Sequence, residues 1–521
     1  MGTISMETRT VDEEARRTVV LTVALAVLGV FVTYVPITSV SVSLTSIGAA
    51  TGAGTADLQW ITDGYIIPMA AMILSAGVFG DLHGRRRVYL IGMALTVAGA
   101  LVAALAGTLD GSSAVHLLWA GQAVSGAGAG LLLPTTLALI AHAVPDLRDR
   151  ARYVALWATG LVLGLAVGPI ISGLILEHAG WGWIFAPTAV LALLAGLLAA
   201  ARLPESKSPD GRHLDWPGQI TGTVAIAASI FGVIEGGQSG WGSWQAVAGL
   251  AVGAVALAAF VLAERRSSSP LMALDLFRRP AFSAASLSAL VALFAIVGTL
   301  FLLSLFFGGV QGLSPLEIGW RLLFVNGVTA LVNPFVGRLL ARFKPLSVLA
   351  AGLALAAVAM VLLTGLQDET GFAPTVWRLS VLGVTDALML SAVAVAAIDA
   401  VPHRLAGMAA AANTALRQYG GALGPAVLGV ILTSRVADGA SRASALHTAL
   451  LVNAVLLALA ALACLLTARR AAAPREHLME VRGPHRTPNF QRACETAARC
   501  GGRTGSRGGR VRCSRSARCC S

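Results

Sequence analysis

Long apolar runs separated by short charged turns dominate the chain. They fall near residues 19–42, 57–80, 86–106, 114–140, 152–176, 182–201, 217–236, 245–263, 281–307, 316–340, 346–366, 375–398, 405–432 and 446–468. Each approaches the ~20 apolar residues that an α-helix needs to cross a bilayer. In lipid, a helix satisfies its own backbone polar groups within one segment. The pattern therefore predicts fourteen spans in an all-α polytopic membrane protein. Basic residues sort by alternate turns. Arg85/Arg86/Arg87, Arg148/Arg150/Arg152, Arg202/Lys207/Arg212, Arg265/Arg266/Arg278/Arg279, Arg338/Arg342/Lys344 and Arg404, with Arg9, Arg16 and Arg17, place 20 on one side. The opposite turns and flanks hold only Arg321, Arg378, Arg435 and Arg442. The positive-inside rule assigns the basic side, and both termini, to the cytoplasm of a multi-pass protein in the cell membrane. No small-residue cleavage site follows the first run, which is read as a retained span.

Composition agrees. Of 521 residues, 56% are hydrophobic and 12% charged, and mean hydropathy is +0.76. Soluble domains carry roughly 25% charged residues. The net charge of +12 does not point to nucleic acid. Residues 469–521 hold 13 Arg, no Lys and 3 Glu, so this segment alone supplies +10. It also holds five of the six cysteines (Cys494, Cys500, Cys513, Cys519 and Cys520), in no zinc-like spacing, while Cys464 stands alone in a span. Neither a metal nor a disulfide framework is inferred. The tail lacks apolar periodicity and is expected to be disordered.

An internal repeat organises the rest. "GAGAGLLLPTTLALIAHAVPDLRDRA" from Gly126 and "GVTDALMLSAVAVAAIDAVPHRLAGMA" from Gly383 align at an offset of 383 − 126 = 257, pairing Val144-Pro145 with Val401-Pro402 without a gap. Two parallel halves of six spans give this register only when two extra spans lie between them. The expected organisation is a cytoplasmic segment 1–18, a half 19–201, a linker 202–280 with accessory spans 217–236 and 245–263, a second half 281–468, and the tail 469–521.

The turn "GVFGDLHGRRR" sets Gly77, Asp81, Gly84, Arg85 and Arg86 between the second and third spans. Glycines there permit close approach of helices and loop, and an acid before arginines can pair across the turn and hold a closed state. With this spacing the chain resembles the loop signature of the major facilitator superfamily. "GLVLGLAVGPIISG" in span 5 (Gly160, Gly164, Gly168, Pro169, Gly173) resembles the antiporter signature of its drug exporters. Its glycines make one smooth face, and Pro169 removes a backbone hydrogen bond. "QWITDGY", "LPESKSP…HLDWPG", "LFRRPAF", "GLSPLEIG" and "NTALRQYGGALGPAVLG" are similar, in order, to the fourteen-span drug:proton antiporters of the QacA/EmrB type. The resemblance implies the major facilitator fold and export by alternating access. The sequence departs from the family twice: Pro36 takes the place of its span 1 acid, and Gln122 that of the span 4 arginine four residues before Gly126.

Asp63 lies six residues after Asp57, roughly 9 Å into span 2 at 1.5 Å per residue. An ionised carboxylate at depth costs about 2.5–3.5 kcal/mol on insertion scales. It suits a proton site; the alternatives are an acid facing outer water or one paired with a polar neighbour. The resemblance implies that it faces the central cavity. Asp386 in span 12 is the second candidate. Asp399 reads as a solvated cap, and Glu235 as the surface end of an accessory span. Arg417 is a deep cation that either pairs with a carboxylate or holds helices together. Trp60 and Tyr65 line the cavity mouth or form an interfacial belt.

A secondary transporter exporting small hydrophobic molecules (a drug, antibiotic or secondary metabolite, cationic ones included) in exchange for protons is thus the leading expectation. It would act as a monomer in the bilayer, with no cofactor beyond the proton gradient. A metabolite or nutrient transporter of the same fold is the alternative, and a channel or receptor a third class. No span carries a nucleophile–base pair or a metal-ligand set, and no Walker loop occurs, so no enzyme is expected.

Overall fold

The computed structural model describes residues 2–144, 146–207, 215–267, 270–402 and 405–472. They form α1 (Gly2–Thr51), α2 (Thr55–His83), α3 (Arg85–Ala106), α4 (Gly111–Ala143), α5 (Leu147–His178), α6 (Ala186–Arg202), α7 (Trp216–Ser239), α8 (Trp244–Arg266), α9 (Pro280–Gly309), α10 (Pro315–Leu340), α11 (Pro345–Leu363), α12 (Phe372–Asp399), α13 (Ala406–Ala437) and α14 (Arg442–Ala472). Thirteen are long and apolar enough to cross a membrane. α2 is the fourteenth when Thr55–Ile73 and Ser75–His83, bent by 54°, count as one span. The predicted runs and observed helices coincide, with one exception at the N-terminus. α1 is helical from Gly2, so residues 2–18 continue the first span's helix and form no separate element. The basic tail beyond Ala472, with its five cysteines, lies outside the described residues. Cys464 is buried in α14, its sulfur 3.0 Å from the Ser288 hydroxyl.

Helix starts follow from local chemistry. Pro280, Pro315 and Pro345 open their helices, where a missing N–H costs nothing. Ser314 and Glu317 form a reciprocal capping box at α10. Asp215 and Ser243 cap α7 and α8 by accepting from Gly218 N and Ala246 N.

Packing repeats between halves. α4 contacts α2 and α3 as α12 contacts α10 and α11, and α1 lies on α5 as α9 lies on α13. Two seams join the halves, α5 on α10 and α13 on α2. The offset seen in sequence reappears in space. A side chain at Gly126 would strike the Tyr65 backbone of α2, and one at Gly383 the Phe324 and Val325 carbonyls of α10. The accessory α7 packs on α8, α13 and α2, so it covers the α2–α13 seam. Gln219 of α7 donates to the Ala71 carbonyl at 2.6 Å and accepts from Ser75, both in α2. Ser229 meets the Tyr419 hydroxyl of α13 at 2.9 Å. α8 leaves Val247, Val252, Val255 and Leu257 exposed, as suits a helix whose outer face meets lipid.

Candidate functional site

Glycines set the two seams. On α5, a methyl at Gly160 would lie 3.0 Å from the Val27 carbonyl oxygen, at Gly164 2.8 Å from that of Phe31, and at Gly168 2.9 Å from that of Val35. All three thus press α5 onto the α1 backbone, and Ser39 of α1 donates to the Gly168 carbonyl at 3.2 Å. Beyond this face the helix turns to the other half. A methyl at Gly173 would stand 2.7 Å from Leu316 Cα of α10, and one at Gly319 2.6 Å from the Pro169 carbonyl oxygen. Pro169, lacking an N–H, leaves the Leu165 carbonyl without its helical donor.

The same device occurs in α13. Gly420, Gly424, Pro425 and Gly429 repeat the spacing of Gly164, Gly168, Pro169 and Gly173 at an offset of 420 − 164 = 256. Gly420 and Gly424 press on the Leu290 and Phe294 carbonyls of α9, and Gly429 on the Gln59 side chain of α2. The stretch "GGALGPAVLG" carries this second copy in its spacing, a signal that resemblance to the penultimate span of a family does not bring out.

The α2–α3 turn is a charged clasp within one half. Asp81 Oδ1 accepts from Arg85 Nη2 at 3.1 Å, and Arg85 Nη1 donates to the Ala138 carbonyl of α4 at 3.4 Å. Gly84 has φ +104°, and a side chain there would collide with the Glu205 carboxylate. Glu205 accepts from Arg86 N at 3.2 Å, while Arg85 N donates to the Ser206 carbonyl at 2.9 Å. Glu205, which no spacing in the sequence singles out, thus ties the turn to the segment after α6. Gly77 is a correction. It is exposed, and a methyl there would have no neighbouring atom within 4 Å, so it mediates no close approach.

A cavity of about 70 Å³ lies between the halves, walled by α1, α2 and α5 on one side and α9, α10, α12 and α13 on the other. Its walls are largely apolar, with Tyr34, Thr38, Ser41, Asn326, Asp386, Arg417 and Gln418 as polar members. Asp386 Oδ2 lies 3.2 Å from the Thr329 hydroxyl, which is also 3.0 Å from the Gly383 carbonyl oxygen. Among the described residues Arg417 makes no ion pair within 4.0 Å, with Asp386 or any other acid. A wider cleft of about 770 Å³ opens near the α1–α2 turn. It is bounded by Thr45, Gly48 and Leu58 of the first half and by Phe306, Val436 and Arg442 of the second.

Asp63 is fully buried and neither carboxylate oxygen has a hydrogen-bond partner. One turn away on the same face, Gln59 meets Gly429 of α13 and Ile66 lines the cavity. Asp63 therefore stands at the α2–α13 seam. Around it, Tyr65 donates to the Thr33 carbonyl of α1 at 2.6 Å, and Gln122 Nε2 to the Ile61 carbonyl at 3.1 Å. The Trp60 ring lies 6.3 Å from both Trp119 of α4 and Phe231 of α7.

The family model for the Major Facilitator Superfamily matches residues 26–425. The chain belongs to that superfamily. This facilitator is 34% identical over 418 residues to the multidrug resistance protein Stp of Mycobacterium tuberculosis, covering 80% of this chain and 76% of that one. It is 31% identical over 420 residues to the tetracenomycin C resistance and export protein of Streptomyces glaucescens, with the same coverage. Among solved structures, the peptide transporter POT in complex with sulfate superposes with a TM-score of 0.65, covering 86% of this chain and 94% of that one. The inward-open xylose transporter XylE from E. coli gives 0.61, with 86% and 95% covered. Both are 14% identical, so they share the fold alone.

Of the six residues the sequence assigned to a coupling site or cavity, this facilitator brings only Asp386 and Arg417 to the cavity wall. Asp63, implied by resemblance to face the cavity, is fully buried without a hydrogen-bond partner and is not in the cavity wall of this state. Gln122 is spent on stitching α4 to α2, one turn before Gly126. Tyr65 is buried as a clip to α1, and Trp60 sits between α4 and α7; neither lines the cavity, and Tyr65 is no belt residue. Asp399 is exposed at the end of α12, and Glu235 accepts from Ser239 near the end of α7.

Proposed function

We propose that this chain is a secondary active exporter of small hydrophobic molecules, driven by proton antiport. It acts as a monomer in the cell membrane with both termini in the cytoplasm. The observation that carries this is the cavity between the halves, apolar except for a few polar groups that include one acid and one cation. That is the composition of a site that takes a hydrophobic molecule and fixes it by few contacts. The names of the multidrug and tetracenomycin relatives support the direction of transport. With both termini inside, the wide cleft at the α1–α2 turn faces outward, so this state is open to the outside and contracted at its centre.

Two acids would handle protons. Asp386 shares the cavity with the substrate. Asp63, with no partner at a closed seam, would leave an unpaired charge costing several kcal/mol if ionised. It is therefore neutral while the seam is shut and loses its proton when the seam hydrates. The test is efflux of the uncharged dye Nile red from preloaded cells, restarted by glucose. Cells expressing the chain should lose dye faster than empty-vector cells, and a protonophore should abolish the difference. Efflux equal to the empty vector, or unaffected by the protonophore with ATP maintained, would refute the proposal.

A further inference from the structure

The charges around Asp386 can be counted element by element. α12 itself carries Arg378 and Asp399, both toward its ends. α9 and α11, which pack near α12, carry no ionisable side chain. α10 carries Glu317, Arg321 and Arg338, and α13 carries Arg417, Tyr419 and Arg435. Of these only Arg417 lines the cavity with Asp386; Tyr34 of α1 is the remaining titratable group there. Asp63 is outside it. The cavity is therefore neutral when Asp386 is ionised and carries one positive charge when Asp386 is protonated. In neither state does it hold the net negative charge that would favour a permanent cation.

We infer that the site selects an uncharged hydrophobic molecule bearing a hydrogen-bond acceptor beside a donor. The inference rests on the exporter reading and names its substrate class. The acceptor takes a hydrogen bond from Arg417, whose guanidinium has only donors and no acid within reach. The donor, a hydroxyl, gives to the ionised Asp386 carboxylate. Thr329 makes the exchange possible. Its hydroxyl has one proton and three acceptors in range, the Val325 carbonyl at 2.9 Å, the Gly383 carbonyl at 3.0 Å and Asp386 Oδ2 at 3.2 Å. When Asp386 is ionised, Thr329 donates to it. When a proton arrives on Asp386, the acid donates to Thr329 and the threonine proton turns to the Val325 or Gly383 carbonyl. The neutral acid then accepts from the substrate only weakly, and the substrate leaves more readily.

The experiment uses the purified full-length chain in lipid nanodiscs and three planar fluorescent probes. 3-Hydroxyflavone has adjacent hydroxyl and carbonyl groups and is uncharged at neutral pH, 3-methoxyflavone lacks the donor, and ethidium is a permanent cation. Hydrogen bonds to charged groups are the strong ones, so losing one should weaken binding about ten-fold or more. We expect 3-hydroxyflavone to bind at least ten-fold tighter than either other probe. Asp386→Asn should weaken 3-hydroxyflavone but not 3-methoxyflavone, and should abolish the pH dependence of binding. Arg417→Gln should weaken both flavones, and Arg417→Lys should restore most of the loss, which separates a missing cation from a misfolded protein. Ethidium binding as tight as 3-hydroxyflavone, or flavone binding unchanged in Asp386→Asn and Arg417→Gln, would overturn the assignment. So would absence of 3-hydroxyflavone binding by protein that exports Nile red. Nile red efflux reports on the exporter reading separately: if it fails while the flavone pattern holds, the export claim falls and the site stands.

Discussion

Replacing Gly168 with alanine puts a methyl 2.9 Å from the Val35 carbonyl oxygen and against the Thr38 hydroxyl. Ordinary contact begins near 3.4 Å, so α1 and α5 must part by about half an ångström, and overpacking of this kind costs about 1–3 kcal/mol. The pseudo-symmetric change Gly424→Ala meets the Phe294 carbonyl more closely still and lies 2.9 Å from Gly298 N, so it should cost at least as much. Gly77→Ala is the internal control. Its methyl meets nothing within 4 Å, and a glycine-to-alanine change inside a helix gains roughly 0.5–1 kcal/mol. Thermal unfolding of the purified proteins should show Gly168→Ala and Gly424→Ala lowered together and Gly77→Ala unchanged or raised. Nile red efflux should follow the same order. Equal melting for all three, or loss confined to Gly77→Ala, would refute the argument that glycines set the close α1–α5 and α9–α13 packing and return the weight to the turn signature.

Asp81→Lys removes the 3.1 Å contact to Arg85 and sets like charges together; transport rate should fall while probe affinity is nearly kept, measured by efflux and binding on the same preparation. Tyr65→Phe deletes the buried hydrogen bond to the Thr33 carbonyl, and denaturant unfolding should show a loss of about 1 kcal/mol. Gln219→Leu cuts the accessory pair's contacts to Ala71 and Ser75 and leaves buried polar groups unpaired at about 1–3 kcal/mol. Limited proteolysis in the segment before α7 should then speed up.

The span pattern was legible because lipid demands long uncharged helices, and the register of the halves because Val144-Pro145 and Val401-Pro402 keep a gapless spacing. The facing of individual side chains was not. Asp63 and Ile66 lie one turn apart on one face, yet only Ile66 reaches the cavity, because where along the helix the cavity ends depends on helices distant in the chain. Gly77 and Gly84 look alike in a glycine-rich turn. Only the positive φ of Gly84 and the approach of Glu205, more than a hundred residues on, separate them. Whether Arg417 pairs with a carboxylate stayed open in the sequence, because Asp386 belongs to the preceding span and only the fold brings the two to one cavity wall. The role of α7 as a cover for the α2–α13 seam depends on Gln219 and Ser229, ordinary polar residues in an apolar helix.

The most direct test of proton-driven export places the purified chain in proteoliposomes with an imposed pH gradient and no ATP, and follows Nile red across the membrane. Wild type should move dye in proportion to the gradient and stop when nigericin dissipates it. Asp63→Asn, which keeps the size of the group but cannot release a proton, should still bind dye while its gradient-driven transport falls. Dye movement by wild type that ignores the gradient, or gradient-driven transport undiminished in Asp63→Asn, would contradict the account.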